Sequence, residues 1–82
     1  MLDFELTAHA KDMLIERNIP EEWVWLVLQS FDKKQLGDDG NMHYTKAIVE
    51  RDNRILHIIV NITIQPNCIV TLFFDRRLGK RV

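Results

Sequence analysis

Apolar and polar positions alternate through residues 55–75, ILHIIVNITIQPNCIVTLFFD, and Pro66-Asn67 interrupts them. The β-branched content and period of two predict strands over 55–64 and 68–75, joined as a hairpin. Residues 43–50 read as a preceding strand, with Asp52-Asn53 as its tight turn. A weaker strand is expected over 33–37, before the turn signal Asp38-Asp39-Gly40-Asn41. The N-terminal part has a helical period instead. Thr7 precedes Ala10, Met13, Leu14 and Arg17, which predicts a Thr7-capped helix over 7–17. Asn18 suits a left-handed C-terminal position, and Pro20 opens a second helix over 20–31. Glu21 and Glu22 sit in its first turn, where the helix dipole favours negative charge, and Val24, Val27, Leu28 and Phe31 form its apolar stripe. The expected architecture is a single α+β domain over 1–82: an N-terminal helical hairpin packed on one face of a three- to four-stranded antiparallel sheet, in the order ααββββ.

Loop lengths then sort the sheet into faces. A two-residue loop at Asp52-Asn53 sets Val49 opposite Leu56 and Ile48 opposite His57. A three-residue loop over 65–67 sets Ile64 opposite Cys68, Val60 opposite Leu72 and His57 opposite Asp75. Ala47, Val49, Leu56, Ile58, Val60, Ile62, Ile64, Cys68, Val70, Leu72 and Phe74 would form the face under the helices. Tyr44, Lys46, Ile48, His57, Ile59, Asn61, Thr71, Phe73 and Asp75 would form the open one.

Composition narrows the class. A chain of 82 residues buries only about 60–65% of its unfolded surface, enough for one small core. The longest apolar run, 23–28, is too short to cross a membrane, and the N-terminus lacks the pattern of a secretory signal. With Cys68 as the single cysteine, no internal disulfide exists, and a cytoplasmic location is expected. Net charge is −1, yet 1–41 hold nine acidic and four basic residues, and 42–82 hold three acidic and seven basic. That asymmetry can gather a basic patch.

The open face carries the candidate chemistry. A carboxylate beside an imidazole holds one tautomer and stabilises the charged ring, which suits acid–base work near neutral pH. His57 and Asp75 are the candidate pair, with Lys46 and Tyr44 to stabilise a phosphate or donate a proton, and Arg76 or Arg77 near the strand end. Such a set could cleave RNA by attack of a 2′-hydroxyl on the adjacent phosphate, without a metal. His43 is expected at the rim on the core-side parity, and Cys68 as an inward thiol. The histidines and cysteine lack metal-ligand spacing, and no phosphate-cradling glycine loop exists, so neither a metal nor a cofactor is expected.

The segment 9–22, HAKDMLIERNIPEE, carries a His-Ala, an Arg seven residues on, and an Ile-Pro-Glu-Glu. With Arg54-Ile55-Leu56 and Val70-Thr71-Leu72-Phe73, it resembles the small bacterial domain-of-unknown-function family 4258. That family is thought to be related to RelE-like toxins, within the barnase, EndoU, colicin and RelE ribonuclease fold group. The resemblance implies a helical hairpin on an antiparallel sheet, RNA on the open face and an antitoxin protein as partner. Its matching positions are His9, Arg17, Arg54 and Thr71, with His9, Arg17 and Arg54 in supporting, substrate-binding roles. The chain departs from the pattern at Met13, where many members have Arg, and in its slightly acidic net charge. Three readings result: a toxin-type endoribonuclease, active or lapsed; a non-enzymatic module that binds a protein or a second copy through the mixed face or the 68–75 strand edge; and nucleic-acid binding without catalysis, which requires the basic C-terminal half to form one patch.

Overall fold

The structure, a computed structural model, describes residues 4–76. Five strands and two helices follow one another as β1 (Phe4–Leu6), α1 (Ala8–Glu16), α2 (Glu21–Ser30), β2 (Lys33–Leu36), β3 (Met42–Ile48), β4 (Arg54–Asn61) and β5 (Asn67–Asp75). They form one sheet in the order β1-β5-β4-β3-β2. The α+β class and helical pair match the expectation. The strand count and the wholly antiparallel sheet do not, because β1 joins β5 in parallel, with Phe4 opposite Asn67 and Leu6 opposite Ile69. β1 therefore covers the start of the β5 edge that was expected to be open.

Thr7 fastens the first helix to the sheet. Its Oγ1 accepts from the Ala10 amide at 3.1 Å and donates to the Ile69 carbonyl at 2.8 Å, so one hydroxyl caps α1 and ties it to β5. Asn18 turns the chain with φ 58°, and buried Ile19 follows it into the core. Ala10, Met13, Leu14, Val24, Val27 and Leu28 meet Tyr44, Ile48, Leu56, Ile58, Val60, Ile69 and Leu72 in one apolar cluster. Each large side chain buried there contributes roughly 1.5–3 kcal/mol of transfer free energy.

Two register differences redistribute the faces. β3 and β4 pair with Ile48 opposite Arg54 and Thr45 opposite His57, because a 3-10 turn over Val49–Arg51 lengthens the connection. Relative to the two-residue loop this is an odd shift, which turns every β3 side chain over. Tyr44 and Ile48 become core residues, whereas Val49 is 76% exposed. Burying Tyr44 and Ile48 removes more apolar surface from water than burying Ala47 and Val49 would. Between β4 and β5, Ile55 pairs with Asp75 and His57 with Phe73, and an irregularity at Ile59/Val60 brings Val60 opposite Ile69. The bulge puts Ile69 in the core in place of Cys68 and Val70. Ile64 lies outside the sheet and is exposed. Among the described residues no helix is long and apolar enough to cross a membrane.

Candidate functional site

The helices cover one side of the sheet. On the other, alternation along β3, β4 and β5 presents His43, Thr45, Ile55, His57, Phe73 and Asp75. All of these but Phe73 line a concavity of about 500 Å³, together with Gly37 and with Lys33 and Gln35 of the edge strand β2. Its floor is a chain of four polar side chains. Asp75 Oδ2 lies 3.2 Å from His57 Nδ1, His57 Nε2 lies 2.8 Å from His43 Nδ1, and His43 Nε2 lies 3.2 Å from Asp39 Oδ1. Asp75 is buried, His57 nearly so, and Asp39 is about half exposed, so the chain runs from interior to surface. Phe73 stacks on the His57 ring at 5.0 Å between centroids and limits its rotation.

The donor and acceptor roles of the ring nitrogens follow from the tautomer each imidazole adopts. An ionised carboxylate only accepts, so an N–H at His57 Nδ1 would donate to Asp75 and an N–H at His43 Nε2 to Asp39, and the contact between the rings needs one further N–H. Two adjacent imidazoles of this kind can act chemically as an acid and a base. At the outer end, the Asn41 amide donates to Asp39 Oδ1 at 2.9 Å. That bond, followed by the contact from His43, holds the Asp39 carboxyl below the usual carboxylate range.

The expected pair His57 and Asp75 does meet, although through diagonal positions and not as direct cross-strand partners. Tyr44 and Lys46 do not join them, because the odd shift of β3 places both on the helix side. Tyr44 is 5% exposed and packs edge-on against Phe4 and Phe31. Lys46 Nζ lies 3.6 Å from Asp32 Oδ1. Their places are taken by Thr45 and by His43, which is on the open face and not at the core-side rim. Asp39, from the β2–β3 turn, was not anticipated in the site either. The signal for His43 was its separation of fourteen from His57, which becomes a shared face only once the turn length is known.

The remaining candidates lie elsewhere. His9 and Arg17 are exposed residues at the two ends of α1. Arg54 takes the helix-side parity of β4, with its guanidinium 5.3 Å from the Phe74 ring centre. Arg76 is exposed immediately after β5, and Arg77 lies outside the described residues. Cys68 is half-buried opposite Asn61 and away from the core. Among the described residues no group of three or more His, Cys, Asp or Glu side chains converges as a metal site.

A family model described as domain of unknown function (DUF4258) matches residues 6–74. No curated protein and no solved structure matches the chain significantly.

Proposed function

The chain belongs to the DUF4258 family, and from that premise we propose that it is a metal-independent endoribonuclease acting through His43 and His57. The supporting observation is the chain Asp75–His57–His43–Asp39 along the floor of the concavity. Cleavage of RNA by its own 2′-hydroxyl needs a base for that hydroxyl and an acid for the departing 5′-oxygen. In the in-line displacement the entering 2′-oxygen and the leaving 5′-oxygen take opposite apical positions on one phosphorus, so the reaction uses an acid and a base that reach the phosphate from its two sides. The contact between the two rings opens around the phosphate, so that His57 Nε2 is freed to take the 2′-proton, and buried Asp75 stabilises the imidazolium across Nδ1–H. The 2′-oxygen bonds to phosphorus, the bond to the 5′-oxygen breaks, and the proton held by His43 goes to that leaving oxygen. The products are a 2′,3′-cyclic phosphate and a 5′-hydroxyl. Lys33, opposite Thr45 on the same face, offsets the charge that builds on the phosphoryl oxygens. A toxin-type role with an antitoxin partner and a cytoplasmic setting belong to this reading.

End-labelled RNA, both naked and ribosome-bound, tests it. The wild type is expected to leave 2′,3′-cyclic ends, with His57→Ala and His43→Ala each slower by about 10²–10⁴-fold. Cleavage that survives both substitutions, or none by the wild type on either substrate, would end the proposal.

A protein-binding role, to a partner or a second copy, is favoured by a different observation: all four residues of β2 are exposed and, among the described residues, no strand lies beside its outer edge. An added strand would pair there. Light scattering over a concentration range, alone and with a candidate partner, distinguishes this role from the first.

A further inference from the structure

Resting on the RNA-cleaving reading, we infer that the Thr45 hydroxyl donates to a non-bridging oxygen of the scissile phosphodiester, in a seat completed by Lys33 and His57. The three residues form one row across the sheet, because Lys33 pairs with Thr45 and Thr45 with His57. Cross-strand partners point to the same face about 5 Å apart, and all three line the concavity. Thr45 also follows His43 by two positions on β3. It therefore stands beside the place where the two rings meet at 2.8 Å.

The hydroxyl is the uncommitted group in this row. Thr45 is only 8% exposed, yet among the described residues its Oγ1 bonds no protein group. Its backbone carbonyl, by contrast, accepts from the Asp32 amide at 2.8 Å. No wholly enclosed side-chain polar atom of the described residues lacks a partner, so this hydroxyl opens into the concavity it lines. A hydroxyl held so deep without a partner costs stability, and a valine would fill the same β-branched position without that cost. An oxygen brought by a ligand offsets it.

The surroundings say which oxygen. Lys33 takes part in no ion pair among the described residues, so its ammonium is open to an anion. The carboxylates of the site hold the two ends of the histidine chain, Asp75 at His57 Nδ1 and Asp39 at His43 Nε2. Between them, beside Thr45, the floor presents imidazole nitrogens and the lysine borders it. In the cleavage reaction the anion at that place is the scissile phosphate, whose non-bridging oxygens gain charge as the 2′-oxygen adds. A β-branched side chain on a strand is restricted about its first torsion, so the hydroxyl needs little reorganisation to meet that charge.

Two measurements test the seat. The first is an NMR titration with a dinucleoside monophosphate that lacks the attacking 2′-hydroxyl and cannot be cleaved. The Thr45 amide and His57 ring signals should shift, and Thr45→Val should bind about fivefold more weakly. The second is cleavage of RNA carrying one phosphorothioate of either stereochemistry, in which sulfur, a weak acceptor, replaces one non-bridging oxygen at a time. The wild type should prefer one stereoisomer. Thr45→Val should be slower by about 10²-fold on ordinary RNA and lose about tenfold of that preference, and Thr45→Ser should recover most of the rate. The urea midpoint of Thr45→Val should equal or exceed that of the wild type, as it would not if the hydroxyl only supported the fold. Dinucleotide binding at Thr45 by a wild type that cleaves no RNA would end the nuclease reading and leave the phosphodiester seat standing. Absence of shifts at Thr45 and His57, or binding and cleavage unaltered in Thr45→Val, would overturn the seat. So would a change of base preference in Thr45→Val with both stereoisomers slowed alike, which would make Thr45 a reader of the base.

Discussion

Gly37 makes room for the outer half of the histidine chain. An ideal Cβ there would stand 2.5 Å from His43 Nε2 and 2.8 Å from Asp39 Oδ1, well inside van der Waals contact. The obstructed atoms are side-chain ends, so the ring can swing away at modest cost to the fold, but not while it stays bonded to both Asp39 and His57. Gly37→Ala is therefore expected to cut RNA cleavage by about 100-fold through misplacement of the ring. Imidazole ¹⁵N spectra should show His43 and His57 altered and core methyl signals unchanged. Asp39 gives a pH signature of its own. Its carboxyl is held low by the Asn41 amide and then by His43. A depressed acid contributes stability above its unfolded pKa and loses it as pH falls through the folded one. Wild type should thus be more stable than Asp39→Asn at neutral pH, and the two should converge as pH drops below the ordinary Asp range near about 3.9. Urea midpoints across pH 2–7 check this, and parallel curves would show that the Asn41 and His43 contacts contribute nothing.

Thr7 illustrates how much an element can depend on one side chain. Its hydroxyl caps α1 and also bonds the Ile69 carbonyl where β1 passes into the helix. Thr7→Ala should cost about 1–2 kcal/mol, read from the urea midpoint, with α1 and β1 losing amide protection before β4 does. Thr7 was legible in the sequence because a cap is a local signal, and so were Asn18 and the alternation of β4. β1 was not, since three residues with one alternation carry little information until β5 lies beside them. The β3 register failed for a sharper reason. Nothing in Val49-Glu50-Arg51-Asp52-Asn53 distinguishes two turn residues from five. Asp52 and Asn53 are both left-handed in the structure, at φ 56° and 62°, as a two-residue turn also requires. What decided it was burial: Tyr44 and Ile48 have more apolar surface to hide than Ala47 and Val49. Because the shift is odd, one local ambiguity moved Tyr44 and Lys46 out of the site and brought His43 in. The β4–β5 shift over 55–59 and 71–75 was even, so His57 and Asp75 kept a common face.

Across the whole molecule the sheet has two unequal borders. β1 ends one side and runs parallel along only Asn67–Ile69. Among the described residues β2 ends the other, exposed along its length, and its first two residues are Lys33 and Lys34. A bare edge is a template for another chain, and lysines along it are a common defence, because pairing brings their charges together and strips their water. Lys34 lies 5.6 Å from the Tyr44 ring centre on the helix side, while Lys33 borders the concavity, so one of the two charges guards each face of the edge. The nuclease reading needs this border bare and the protein monomeric, since a strand added at β2 would lie against the wall of the concavity and crowd Lys33. The wild type is therefore expected to scatter light as a monomer up to high concentration. Lys33→Val with Lys34→Val should associate in a concentration-dependent way and lose RNA cleavage even where it remains folded. A wild-type dimer that dissociates when β2 is altered would reverse the argument: the edge would be the working surface, and the histidine pair would be its neighbour.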